Sequence, residues 1–248
     1  MSVVRVEREG DVAVWTVHRP DTRNAVDTAV AEALSSALDD LGQVRAVVLT
    51  GGGGTFISGG DLRLIRARPF EETLVLSRRM TDLLARFEAC PVPILAAIEG
   101  YAYGGGCEVM LACDYRVSAP AARFSFRQAA MGLTTGWGAC TRLAQRVPRG
   151  VAARLLMTAE VLEANDAHAL GLIEEVTPHP LRRAVELAAA MAENPPAAVS
   201  AFKQTLAVAY DTDAHTSAQT EWATFATLWG GPDHRAALAA YFAKKKPS

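Results

Sequence analysis

Apolar and polar positions alternate in two short stretches near the start of the chain, Val4 with Val6 and then Val12 with Val14, Trp15 and Val17, on either side of Glu9-Gly10-Asp11. A period of two interrupted by a glycine turn predicts a β-hairpin, which Pro20 closes. From Asp27 the period changes: Val30, Leu34, Leu38 and Leu41 recur at helical spacing, with Asp27 or Thr28 as the N-cap. The continuous apolar run at Arg45–Thr50 then predicts a buried strand. This β-β-α-β order is that of a mixed α/β layered fold. Residues 70–89 predict a second amphipathic helix with Leu74, Met80, Leu83, Leu84 and Phe87 on or near one side, stopped by Cys90-Pro91-Val92-Pro93.

Pro93–Ile98 is again continuously apolar, three glycines follow at Gly104–Gly106, and Cys107–Cys113 has helix-forming character, so this stretch predicts strand, glycine turn and buried helix. Tyr115–Ser118 resumes as a strand. Beyond residue 145 the periodicity predicts helices over Arg149–Met157, Glu163–Ala169, Leu181–Ala192, Ala197–Tyr210, Ser217–Leu228 and His234–Lys244, with one short strand in Gly171–Val176. Asn194-Pro195-Pro196 is the main break, dividing a core of residues 1–194 from a helical region of residues 195–248.

Composition narrows the class. Half of the 248 residues are hydrophobic and 21% are charged, as in ordinary globular proteins. The formal net charge of −2 argues against nucleic-acid binding through bulk charge. No apolar run approaches the roughly 20 residues of a membrane helix, and the N-terminus lacks the apolar core of a secretion signal, so a cytoplasmic location is expected. Cys90, Cys107, Cys113 and Cys140 show no metal or disulfide spacing and read as reduced thiols, mostly buried. The five histidines fall in no ligand pattern, so no metal is expected.

Two glycine-rich turns carry the candidate chemistry. Glycines at a helix start let a ligand approach unpaired N–H groups and the positive end of the helix dipole, which suits an oxyanion. Glu108 follows in the first turn, among apolar residues that resist its ionisation, and is a candidate acid or base. A tight packing turn, with Glu108 as a simple dipole partner, stands equally open at this point. The second run, Gly51–Leu62, also follows a buried strand, but no Gly-Lys-Ser/Thr and no G-x-G-x-x-G is present, and Phe56 replaces the glycine that a serine nucleophile elbow requires before Ser58. Two such turns could bring two N–H groups to one point.

Over nearly its whole length the chain resembles the crotonase, or enoyl-CoA hydratase/isomerase, family, through R-P-D-T-R-N-A (Arg19–Ala25), V-R-A-V-V-L-T-G (Val44–Gly51), F-I-S-G-G-D-L (Phe56–Leu62), G-Y-A-Y-G-G-G-C-E (Gly100–Glu108) and the tail H-R-A-A-L-A-A-Y-F-A-K-K-K-P. The resemblance implies an α/β, crotonase-like spiral of β-β-α units with a helical C-terminal region used for association as a trimer or dimer of trimers. It implies an acyl-CoA thioester as substrate, with no separate cofactor, its carbonyl held by the N–H groups of Gly60 and Gly105. Ser58, Gly59, Asp61 and Leu62 would line the coenzyme A arm, with Arg23 and Ala25 near its nucleotide end, and Tyr103 and Gly104 would also bind substrate. Lys244-Lys245-Lys246 would be a tail that can approach the coenzyme A phosphates.

One position departs from the family pattern. Where hydratases of the family carry a second glutamate, this chain has Gln128, in Phe124-Ser125-Phe126-Arg127-Gln128. An amide orients water or substrate but does not exchange protons at ordinary pH. Met131–Leu143 and Leu228–Pro232 look more like the ethylmalonyl-CoA decarboxylase branch, and the preferred expectation is therefore decarboxylation of an alkylmalonyl-CoA. Loss of CO₂ would form the enolate directly, protonated Glu108 would return a proton, Arg127 and Gln128 would hold the leaving carboxylate, and Gly136 and Trp137 would wall the acyl pocket. Hydration or isomerisation of an enoyl-CoA is the alternative reaction. A non-catalytic acyl-CoA or RNA-binding member is the alternative of another class.

Overall fold

The computed structural model describes residues 2–244. Strands β1 (Val4–Glu9) and β2 (Val12–Val17) form the expected antiparallel hairpin. Helix α1 (Thr28–Asp39) follows, capped by Asp27, whose carboxylate accepts from the Val30 N–H at 2.9 Å. Strand β3 (Ala46–Gly51), helices α2 (Leu62–Ala67) and α3 (Phe70–Ala89), strands β4 (Ile94–Ile98) and β5 (Tyr101–Tyr103), helix α4 (Gly105–Leu111) and strands β6 (Tyr115–Ser118) and β7 (Arg123–Ser125) come next. The chain continues through α5 (Ala139–Arg146), α6 (Arg149–Thr158), β8 (Leu162–Glu163), α7 (Ala164–Ala169), β9 (Glu175–Val176), α8 (Pro180–Ala192), α9 (Pro196–Asp211), α10 (Ala214–Leu228) and α11 (Pro232–Lys244).

The main sheet has the order β1-β2-β3-β4-β6-β9, parallel throughout except for the hairpin. Its central strands are buried on both faces, which is why they read as unbroken apolar runs. Alternation then sorts their side chains. Val12, Val14, Ala46, Val48, Leu95 and Ala97 face Ala184, Ala188 and Ala192 of α8, whose small side chains let that helix lie close to the sheet. Trp15, Val47, Leu49, Ile94 and Ile98 face the larger core built by Val30 and Leu34 of α1, Met80, Leu84 and Phe87 of α3, and α4. A smaller sheet, β5-β7-β8, adjoins the main one and carries the start of α4.

Three expectations need correction. Leu74 of α3 is 69% exposed and Leu76 is buried in its place, because Leu76, Met80, Leu83, Leu84 and Phe87 form the i, i+4, i+7 stripe from which Leu74 lies more than 90° away. The glycine run is not a turn ahead of a helix: β5 intervenes, and Gly105 and Gly106 are already in the first turn of α4. The strand expected within Gly171–Val176 is only Glu175–Val176. After the break at residues 193–195, α9 is tied to the core by Lys203, whose ammonium donates to the Phe87 and Val92 carbonyls at 2.8 and 3.1 Å and pairs with Asp114 at 2.7 Å. Lys245 and Lys246 lie outside the described residues, as does the side chain of Lys244.

The segment Arg19–Ala25 is stitched to the rest through Asn24, which is fully buried at φ +58°. Its amide donates to the carbonyls of Gly52 and Thr55 at 2.9 and 2.6 Å, and its oxygen accepts from the Arg19 N–H at 2.7 Å. Asparagine tolerates left-handed backbone better than most residues, and two carbonyls and one N–H, partly or fully buried, depend on this one. Asn24→Ala is expected to destabilise the protein by about 2–4 kcal/mol, read as a lowered denaturant midpoint with an unchanged m-value.

Candidate active site

The loop 56–61 is held from both sides. Ile57 bridges to Ala102 of β5, and Gly60 bridges to Val26 in parallel register. In that register Val26 donates to the Gly59 carbonyl at 2.8 Å and accepts from the Asp61 N–H at 2.9 Å, which turns the N–H of Gly60 away from Val26. The Asp61 carboxylate caps α2, accepting from the N–H groups of Arg63 and Leu64, and pairs with Arg19 at 3.1 Å. Burial pushes its pKa up, but the Leu64 N–H, Arg19 and the Arg63 N–H outweigh this and hold it below the ordinary value. Its side chain is therefore committed to the scaffold.

Gly104 enters α4 at φ +52° and ψ −113°, a conformation open essentially to glycine alone. The next two glycines answer to space. A Cβ on Gly106 would lie 1.9 Å from the Ile57 carbonyl oxygen, and one on Gly105 would lie 2.2 Å from a ring carbon of Trp137. One built on Gly59 would be 3.4 Å from the nitrogen of Gly105, so the two glycine turns are in contact. Among the described residues, neither the Gly60 N–H nor the Gly105 N–H donates to a protein acceptor. The Trp137 ring lies over both glycines, its edge 3.8 Å from a Cβ built on Gly60.

Glu108 projects from the next part of α4 and is 2% exposed. One carboxylate oxygen accepts from the N–H groups of Trp137 at 2.7 Å and Ala139 at 3.1 Å, and the other accepts from the Gln128 amide at 2.8 Å. Burial raises its pKa above the ordinary carboxylate value, and the N–H groups of Ala139 and Trp137 and the Gln128 amide only partly offset this. The carbonyl oxygen of Gln128 is buried and has no partner. Such a site offers one buried proton-exchanging group, one free neutral acceptor and two free N–H donors within a small space. That combination can stabilise a developing oxyanion and move one proton beside it.

A sequence model of the enoyl-CoA hydratase/isomerase family matches residues 7–248. This chain belongs to that family. It is 31% identical to a short-chain-enoyl-CoA hydratase of Clostridium acetobutylicum over 98% of this chain and 95% of that one, and 31% identical to a 2,3-dehydroadipyl-CoA hydratase of Escherichia coli over 100% and 98%. Among solved structures, an enoyl-CoA hydratase from Bacillus anthracis superposes with a TM-score of 0.94 at 29% identity, covering 99% and 98% of the two chains.

In this family member the expected site residues fall in two groups. Gly59, Gly60, Tyr103, Gly104, Gly105, Glu108, Gln128, Gly136 and Trp137 are drawn together by the contacts above, with Ser58 alongside, its hydroxyl donating to the Thr22 carbonyl at 3.2 Å. Leu62 is 59% exposed, Arg23 is exposed at φ +53°, Ala25 is buried, and Arg127 points its guanidinium at the Ala159 carbonyl 3.4 Å away rather than at Glu108. Sequence reasoning missed the donors that Trp137 and Ala139 offer Glu108, and it missed Arg142 altogether. The flanking Gly136 and Gly138 were the only signal for the first, and the second had none.

Glu108→Gln keeps the side chain's shape. Its oxygen can accept from Trp137 and Ala139 while its amide faces Gln128, which can turn its unpaired oxygen inward. Because the folded pKa of Glu108 lies above the unfolded one, the folded protein binds the proton more tightly, and wild-type stability falls as pH rises through that window. The stability of Glu108→Gln relative to wild type is therefore expected to increase from the ordinary carboxylate range up to the raised folded pKa and then level off. Thermal melts of both proteins across this pH range check it.

Proposed function

We propose that the chain acts on an enoyl-CoA thioester, adding water across its double bond or shifting that bond, with Glu108 as the single group that takes and returns the proton. The observation that carries this reading is a buried carboxylate of raised proton affinity beside two free glycine N–H groups in contacting turns, the neighbouring Asp61 being held as an anion by Arg19 and the start of α2. The thioester oxygen would accept from Gly60 and Gly105 as the enolate forms, an interaction whose loss typically costs a few kcal/mol of barrier for each donor. In hydration, Glu108 would remove a proton from water as its oxygen attacks the β-carbon and would deliver that proton to the α-carbon. The free oxygen of Gln128 would orient the same water. In a double-bond shift one carboxylate suffices, since the proton leaves one carbon and returns to another. The hydratases that this chain resembles support the substrate class.

Decarboxylation of an alkylmalonyl-CoA is the second reading, favoured by the neutrality of Gln128 at a position where a second base is not required. Against it, three donors stabilise the ionised form of Glu108 in opposition to burial, and an ionised Glu108 would repel a malonyl carboxylate brought alongside. The exposed Phe202, Leu206, Tyr210 and Trp222 of α9 and α10 support an association of copies through the C-terminal helices.

Crotonyl-CoA is expected to lose its conjugated thioester absorbance on incubation with the protein, and ethylmalonyl-CoA is expected to release no CO₂. Rapid CO₂ release without hydration or isomerisation would reverse the choice between the two. Glu108→Ala should abolish turnover while leaving acyl-CoA affinity within a few-fold, and equal silence of both proteins toward both thioesters would make the chain a binder. Gly105→Ala, which forces the Trp137 ring aside, is expected to lower kcat/KM by at least about 100-fold while the protein remains folded.

A further inference from the structure

Glu108 owes two of its three hydrogen bonds to a loop that does not hold itself in place. Residues 136–139 carry the N–H groups of Trp137 and Ala139, and the backbone there is unusual, with Gly138 at φ +96°. What holds it is α5. The Arg142 guanidinium donates to the Trp137 carbonyl at 2.6 Å, and its other two nitrogens grip both oxygens of Glu88 on α3 at 2.7 and 2.6 Å. Arg142 is nearly buried, so this fork is shielded from solvent on the arginine side. The peptide unit just before is fixed from the same direction. The Thr81 hydroxyl of α3 lies 2.8 Å from the Gly136 carbonyl and 2.9 Å from its own Ser77 carbonyl, with one proton to share between them. Since the C=O and N–H of a trans peptide point in opposite directions, a group that holds the Gly136 carbonyl toward α3 aims the Trp137 N–H the other way, at Glu108.

We propose that the Glu88–Arg142 pair is a positioning device for Glu108, fixing the Trp137 carbonyl so that the N–H groups of Trp137 and Ala139 converge on its carboxylate. Arg142 and Glu88 touch neither the glycine turns nor the reacting atoms. They act through the loop, and their effect is on how tightly Glu108 holds its proton. The inference rests on the reading of Glu108 as the proton-transfer group.

The other ionisable groups around α4 include Cys107 on α4 itself, Tyr101 and Tyr103 on β5, Asp61 next to Gly60 on the facing loop, and Cys140 and Arg146 on α5. Arg146 donates to the Leu111 carbonyl at the far end of α4, and the Arg127 guanidinium is on Ala159. None of these is changed in the variants below, so the charges of Arg142 and Glu88 are the only competing cause. Charge and geometry make opposite predictions for Glu88. Removing a negative charge would ease ionisation of Glu108, whereas releasing the fork would weaken two hydrogen bonds to its carboxylate and hinder ionisation.

The test titrates Glu108 directly in the intact protein, by the infrared band of its protonated carboxyl group, identified as the band lost in Glu108→Gln. This readout needs no turnover, so a chain inactive toward both thioesters would defeat the proposed function without touching this inference. Both Arg142→Lys, which keeps the charge without the planar fork, and Glu88→Gln are expected to move the midpoint upward, by about one pH unit or tenfold in proton affinity. With an active enzyme, the pH dependence of kcat should move by the same amount while KM changes little. A midpoint that stays put in Arg142→Lys, or that falls or stays put in Glu88→Gln, overturns the proposal. Arg79→Gln, which removes an exposed ion pair with Glu32 from the same helix, is the control, and an equal shift there would overturn the proposal too. Should Arg142→Lys fail to fold, the half-exposed Glu88→Gln decides the matter alone.

Discussion

The start of α4 sits closer to its neighbours than any side chain permits. Gly106 leaves no room for a Cβ beside the Ile57 carbonyl, and Gly105 leaves none beneath the Trp137 ring. This approach brings the 56–60 loop, the helix start and the 136–139 loop to one place. Protein interiors tolerate little overlap, so a methyl group at either position would push apart the surfaces that define the site. Gly104 adds a backbone constraint to the steric one, since its ψ of −113° at positive φ is not open to other residues.

The polar part of the site follows from this crowding. With α4 buried along its whole length, Glu108 has no access to bulk water and takes its hydrogen bonds from main-chain N–H groups and one amide. Burial and hydrogen bonding oppose each other there, and the balance favours a raised proton affinity. Asp61, the residue after Gly60, shows the reverse outcome, because two helix-start N–H groups and a guanidinium outweigh a lesser burial. Two carboxylates near one cleft are thereby separated into a structural anion and a group suited to exchanging a proton.

Much of this was legible in the residues. The periodicity predicted β1, β2, α1, β3, α3, β4 and the C-terminal helices because each buries a regular stripe or run, and the paired glycine turns marked where a ligand could approach backbone. Short elements escaped: α2, β5, β7 and β8 have too few residues for a period to emerge, α5 buries only Ala139 and Leu143 among its apolar residues, and Leu74 was misplaced because Leu76 lies within the same turn of its helix. Glu108 was visible as an acid among apolar neighbours, but its partners were not, since Trp137 and Ala139 contribute main-chain groups that any residue possesses. Arg142 and Glu88 carry ordinary helix-surface residue types, and only the tertiary fold shows that one of them is enclosed.

The parallel arrangement of the main sheet has a consequence for how the molecule comes apart. Neighbouring parallel strands are joined only through intervening segments, mostly helical, so the segments around residues 24, 60, 105 and 128–137 are brought together by long excursions of the chain. No contiguous fragment contains a self-sufficient portion of the cleft, and a backbone nick between Gly60 and Trp137 would divide it. Loss of this constellation should thus coincide with cooperative melting of the sheet rather than precede it as a local event.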